Sequence, residues 1–86
     1  MQTVEIYGTD TCRWCASARA LLQKQGIAFV YRNMTKDPSL EEEFAARSNH
    51  ALTVPQIFIG KIHVGGYSDL LMADLNGTLQ QMIGGH

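Results

Sequence analysis

Cysteine is scarce in this chain of 86 residues: there are two, Cys12 and Cys15, three positions apart. A secreted disulfide scaffold of this length would carry more of them at wider spacing. Closing so small a loop would also constrain the unfolded chain very little. A structural zinc site asks for about four ligands, and His50, His63 and His86 lack the paired spacing that would complete one. No metal is expected.

Long apolar runs are missing too. The longest are a few residues, far below the roughly 18 that span a bilayer, so no membrane partner is expected. The start of the chain runs straight into an alternating segment with no charged and apolar export signal, which predicts a cytoplasmic address. Nor is there an excess of charge of one sign: 7 Lys and Arg stand against 8 Asp and Glu, mixed along the chain, for a net −1. With no basic stripe, nucleic acid is excluded as a partner. A composition 45% hydrophobic and 17% charged excludes general disorder. The length suits one domain, residues 1–86, with a single modest core. No repeat, linker or low-complexity segment is visible, and a monomer is expected.

What the chain does have is Cys12-Arg13-Trp14-Cys15 at a change of periodicity. Upstream, Thr3-Val4-Glu5-Ile6-Tyr7 alternates as a strand does; downstream, Ala16 to Gln25 are helix formers without Pro or Gly. Cys12 therefore stands at a helix N-terminus, with Asp10 or Thr11 as the predicted N-cap. Free backbone N–H groups and the helix dipole favour a thiolate there over a thiol, and the thiolate is the form that attacks disulfides. Cys15, one turn further in, is expected to be buried and to remain a thiol. Trp14, Ala18, Leu21 and Leu22 form the predicted apolar side of the helix, and Arg13, Arg19 and Lys24 its wet side. Redox chemistry is favoured over metal binding and over a structural disulfide.

Gly26 ends the helix, and Ile27 to Tyr31 read as a second strand. Asp37-Pro38-Ser39 opens a second helix, with Glu41, Glu42 and Glu43 at its positive end and Leu40 and Phe44 toward the core. Gln56 to Ile59, a Gly60-Lys61 turn and Ile62 to Val64 form a hairpin. Ser68 is the predicted cap of a third helix whose apolar side is Leu70, Leu71 and Leu75. Thr78 to Ile83 add a last helical turn or two, and Gly84 to His86 are expected to fray. The order β-α-β-α-β-β-α makes this an α/β protein. Its first β-α-β unit demands a parallel pair with a right-handed crossover, and the hairpin adds an antiparallel pair. The result is a four-stranded mixed sheet flanked by helices.

Three motifs recur at element boundaries: C-x-x-C at the first helix, Thr53-Val54-Pro55 before the third strand, and Gly65-Gly66-Tyr67-Ser68-Asp69-Leu70 at the third helix. In this order and spacing, residues 2–83 resemble a glutaredoxin. The resemblance implies a thioredoxin-like fold and glutathione-dependent reduction of protein disulfides and of protein–glutathione mixed disulfides. It makes Cys12 the nucleophile and Cys15 the resolving thiol of a dithiol type, joined as a redox-active disulfide in the oxidised form.

Arg13 and Trp14 stand where many dithiol members have Pro-Tyr. The exchange implies a shifted redox potential, around roughly −200 to −230 mV, with Trp14 a candidate cover for glutathione. The resemblance implies a cis Val54–Pro55 bond and an open backbone edge at Val54 that pairs with the cysteinyl unit of glutathione, with Thr53 at its entry. Gly66 and Ser68 would receive the γ-glutamyl carboxylate at a helix start, and Asp69 its ammonium. Many members carry a Lys shortly before the first cysteine, where this chain has Gly8-Thr9-Asp10. Arg13 or Arg47 are the candidates to replace it, although Arg47 reads first as a solvated helix residue. His50 and His63 read as a helix-end residue and an exposed strand residue. Two alternatives stay open. One is a [2Fe–2S] carrier ligated by Cys12 of two protomers and two glutathiones, against which Trp14 and Cys15 argue. The other is an electron donor fed by thioredoxin reductase, against which the Gly66–Asp69 turn argues.

Overall fold

Alternation along the first strand sets the architecture. Val4 and Ile6 point to one side of the sheet and Tyr7 to the other, and all three are fully or nearly fully buried. A strand that is apolar on both faces must be covered on both. The computed structural model, which describes residues 2–84, shows how. Its elements are β1 (Val4–Gly8), α1 (Arg13–Lys24), β2 (Val30–Asn33), α2 (Leu40–Arg47), β3 (Gln56–Ile59), β4 (Ile62–Gly65), α3 (Tyr67–Asn76) and α4 (Thr78–Gly84).

The strands lie in the order β2-β1-β3-β4. β1 runs parallel to β2 with Ile6 opposite Tyr31, and antiparallel to β3 with Ile6 opposite Ile57; β3 and β4 form the antiparallel hairpin. This is the mixed four-stranded sheet of a thioredoxin-like fold. On one face Val4, Ile6, Ile57 and Ile59 pack with Ala18 and Leu22 of α1, Leu70 and Ala73 of α3, and Leu79 and Ile83 of α4. On the other, Tyr7 and Phe58 pack with Met34 and with Phe44 of α2.

Several expectations shift. β2 begins at Val30, not Ile27. Ile27 and Phe29 are apolar because they pack against the core, while the Ile27 N–H is spent on the Leu22 carbonyl, so pairing with β1 starts only at Val30. Asp37-Pro38-Ser39 forms a turn ahead of α2, and Leu40 is its first helical residue. Leu75 is exposed, because α3 turns Leu70 and Ala73 inward instead. Gly84 closes α4, whereas the rest of the expected frayed end, residues 85–86, lies outside the described residues.

Arg47 is not a solvated residue. It donates to Glu5 Oε1 at 3.0 Å and to the Tyr7 hydroxyl at 2.9 Å, and its guanidinium lies 4.3 Å from the Phe58 ring centroid. Arg32 completes the cluster with a two-pronged contact to Glu5 Oε2. Burial alone would push the Glu5 carboxyl up; hydrogen bonds from Arg32 and Arg47 reverse this and hold it below the ordinary carboxylate value.

Candidate active site

The turn from β1 to α1 delivers the two cysteines to different environments. Cys12 itself is the N-cap of α1: its backbone is extended, and its Sγ accepts the Cys15 N–H at 3.1 Å. The predicted caps are engaged elsewhere. Asp10 Oδ1 accepts from Asn33 Nδ2 at 2.6 Å and the Asp10 N–H donates to Thr35 Oγ1, which tethers the turn to the end of β2. Thr11 is exposed and makes no capping bond among the described residues. The helix start is thus left to a sulfur, which takes an N–H that has no intrahelical carbonyl. Cys12 Sγ also reaches the Val54 carbonyl at 3.6 Å.

Cys15 is fully buried one turn later. Burial, and then contact with Cys12, pushes its thiol up to about 11. Both cysteines are free thiols.

Beside Cys12 opens a cleft of about 370 Å³, lined by Trp14, Thr53, Val54, Pro55, Gly66, Tyr67, Ser68 and Leu71. That volume lies at the lower end of the usual small-molecule range. The Val54–Pro55 bond is cis, as the resemblance implies. Thr53 is held from below: Gln56 Nε2 donates to its carbonyl at 3.1 Å and to its hydroxyl at 3.3 Å. His63 Nε2 lies 2.7 Å from Gln56 Oε1, and its ring stacks on Phe58. His63 is exposed as expected, yet it has a supporting place behind the loop.

Ser68 does not cap α3. The cap is Gly66, whose N–H donates to Asp69 Oδ2 at 3.0 Å, and Ser68 lies within the first turn, facing the cleft. The chain reaches that cap through Gly65 at φ +118°, a conformation L side chains rarely adopt. Asp69 is exposed, with one oxygen committed to the cap. Trp14 leaves the predicted apolar side of α1. It is 56% exposed and stacks on Tyr67, with centroids 5.4 Å apart, so that it walls the cleft.

The cleft thus gathers six of the predicted residues: Trp14, Thr53, Val54, Pro55, Gly66 and Ser68. Arg13 is exposed and does not line it; Cys15 lies behind Cys12. Arg47 is tied to Glu5 and Tyr7 on the opposite face of the sheet and is no substitute for the absent lysine. Sequence reading named Tyr67 only as part of the Gly65–Asp69 turn, with no role for its ring, and missed Gln56. An aromatic directly after Gly65-Gly66 and a lone amide at the head of an apolar strand were the available signals.

A pair of thiols at the strand-to-helix turn of this mixed sheet defines a class, the thiol–disulfide oxidoreductases of thioredoxin-like fold. Comparison with known proteins narrows it. The Glutaredoxin family model matches residues 4–64. Glutaredoxin 3 of Escherichia coli (strain K12) is 40% identical over 83 residues, covering 96% of this chain and 99% of its own. The solution structure of glutaredoxin from Brucella melitensis, also 40% identical, superposes with a TM-score of 0.79 and covers 96% of this chain and 89% of that one. A buckwheat glutaredoxin–glutathione complex, 20% identical with a TM-score of 0.77 over 96% of this chain and 77% of that one, shares the fold. The chain belongs to the glutaredoxin family.

Proposed function

We propose that this protein is a glutathione-dependent dithiol oxidoreductase that reduces protein disulfides and protein–glutathione mixed disulfides. One observation carries the reading: Cys12 Sγ reaches the Val54 carbonyl at 3.6 Å, and Val54 lines a cleft whose other walls include the Trp14 ring and the start of α3. Those surfaces match the parts of a tripeptide thiol. The Val54 edge pairs with the cysteinyl backbone, the first turn of α3 receives the γ-glutamyl carboxylate, and Trp14 covers the chain. Asp69 takes the ammonium with the oxygen not committed to Gly66. Arg13, exposed on the first turn of α1, is the cation for the glycyl carboxylate.

Cys12 attacks the glutathione sulfur of a glutathionylated protein and releases the protein thiol. A second glutathione then regenerates Cys12. With a protein disulfide, Cys15 displaces the substrate thiol instead, and the Cys12–Cys15 disulfide that results is reduced by glutathione. The protein works as a monomer of one domain in the cytoplasm, on disulfide-containing or glutathionylated proteins.

The test is a coupled assay with glutathione, glutathione reductase and a glutathionylated peptide. Cys12→Ser is expected to abolish turnover, and Cys15→Ser to retain deglutathionylation while losing disulfide reduction. Full activity of the Cys12 variant, or turnover with thioredoxin reductase but not with glutathione, overturns the reading.

A further inference from the structure

The buried thiol has a neighbour that the dithiol mechanism above does not use. Tyr31 lies on β2 opposite Ile6, and its hydroxyl donates to the Thr9 carbonyl at 2.8 Å. The same hydroxyl and Cys15 Sγ both border the empty side-chain position of Gly8. Gly8 makes this approach possible, because a Cβ there would lie 2.4 Å from the Tyr31 hydroxyl and 2.7 Å from Cys15 Sγ. The absent side chain is the slot in which the two groups meet. The Arg19 guanidinium lies 4.2 Å from the ring centroid on one face of Tyr31. A cation there makes the phenol a better donor.

Burial keeps both groups neutral at neutral pH. It raises the Cys15 thiol to about 11, and it raises the Tyr31 phenol as well, with the neighbouring Cys15 adding to the effect. A neutral hydroxyl has one proton to donate; it goes to the Thr9 carbonyl, with the Cys15 sulfur beside it across Gly8 as the alternative acceptor. While Cys15 is a thiol the carbonyl is the better acceptor. When the sulfur becomes anionic the preference reverses, because a charged acceptor binds a donor more strongly.

We propose that Tyr31 is a catalytic residue of the resolving step, its hydroxyl turning from the Thr9 carbonyl to Cys15 Sγ as that sulfur gives up its proton. In that step the Cys15 S–H loses its proton to solvent and Cys15 Sγ bonds to Cys12 Sγ. The bond from Cys12 Sγ to the substrate sulfur breaks, and that sulfur departs as a thiolate with the electron pair. The two protein sulfurs are oxidised by two electrons together with the substrate disulfide's reduction. The proposal rests on Cys15 acting as the resolving thiol and is independent of the use of glutathione.

The magnitude follows from the donor lost. One hydrogen bond to a charged sulfur shifts its ionisation equilibrium about tenfold to a hundredfold. Intrinsic nucleophilicity recovers about 0.4–0.5 of such a change on a logarithmic scale. The net loss in rate is therefore about three- to tenfold.

The experiment uses the whole reduced protein and 5,5′-dithiobis(2-nitrobenzoate). Attack by Cys12 releases a first thionitrobenzoate, and attack by Cys15 on the mixed disulfide releases a second. Tyr31→Phe, which keeps the ring and removes the hydroxyl, is expected to lower the ratio of the second rate to the first by about three- to tenfold across pH 6–8. An unchanged ratio overturns the proposal, and so does an equal fall in both rates, which a displaced helix would produce. If the native protein gives no second release at all, it is the resolving role of Cys15 that fails, and the two failures are told apart. Should Tyr31→Phe fold poorly, Arg19→Gln, which removes the cation over the Tyr31 ring and weakens the hydroxyl as a donor, is expected to lower the same ratio; no change with either variant sinks the idea.

Discussion

Trp14 and Tyr67 stack with ring planes inclined by 27°, joining the first turn of α1 to the first turn of α3 across the mouth of the cleft. The pair belongs to the surface, since more than half of Trp14 is open to solvent. Its contribution should therefore appear in binding more than in stability. For Trp14→Ala we predict a rise of about two- to tenfold in KM for a glutathionylated peptide, the equivalent of the roughly 0.5–1.5 kcal/mol of an aromatic pair. A denaturation midpoint close to that of the native protein should accompany it. An unchanged KM would remove Trp14 from the binding surface.

Arg47→Ala separates the opposite face of the sheet from the cleft. It leaves Glu5 with Arg32 alone and strips the Phe58 ring of its cation. The side chain is about 29% exposed, so the loss is only partly screened, and we expect about 1–3 kcal/mol of stability to disappear. KM for glutathione should not move. A large rise in that KM would put Arg47 back among the ligands.

Glu5 also sets the acid limb of stability. Its carboxyl is held below the ordinary value, so its contribution is complete above that value and disappears as pH falls through the lowered one. Chemical denaturation between pH 5 and 2 should show a drop that Glu5→Gln flattens. Cys15 acts at the other limb with the opposite sign. Its raised thiol contributes fully below the usual thiol range of about 8.5, and that contribution is lost as pH climbs toward about 11. The reduced protein should lose stability over pH 9–11 more steeply than Cys15→Ser. Equal slopes would refute burial as the cause.

Gly65→Ala tests the turn that presents the α3 helix start. Its φ of +118° strains any L side chain, and a Cβ would stand 2.3 Å from Asp69 Oδ2, evicting the carboxylate from the Gly66 N–H. We expect a cost of about 1–3 kcal/mol and a higher KM for glutathione. Urea unfolding and the coupled assay check the two effects separately. Native stability in this variant would show that the turn relaxes freely.

Local pattern was enough for a good part of this molecule. Alternation in Thr3–Tyr7, helix formers after Cys15 and a two-residue turn at Gly60-Lys61 are short-range signals, and they placed every strand and the mixed sheet to within a few residues. The strand and helix either side of Cys12-Arg13-Trp14-Cys15 also determined that one sulfur would start a helix and the other lie a turn inside it. The start of β2 was misplaced because core packing and strand pairing select the same residue types, and Ile27 and Phe29 are partly buried against the core without pairing.

Partnership across the fold was decided only by tertiary structure. Nothing near Arg47 in the chain announces Glu5, 42 positions away, or the Phe58 ring. Asp10 reads as a cap until β2 brings Asn33 and Thr35 to it, and Ser68 reads as a cap until Asp69 takes the Gly66 N–H first. Side chains with several possible acceptors choose by proximity, and proximity between distant segments is set by packing. The meeting of Gly8, Tyr31 and Cys15 is of that kind: a glycine is mute in a sequence, and only when β1, β2 and α1 close around it does the missing side chain become a place for a hydroxyl beside a thiol.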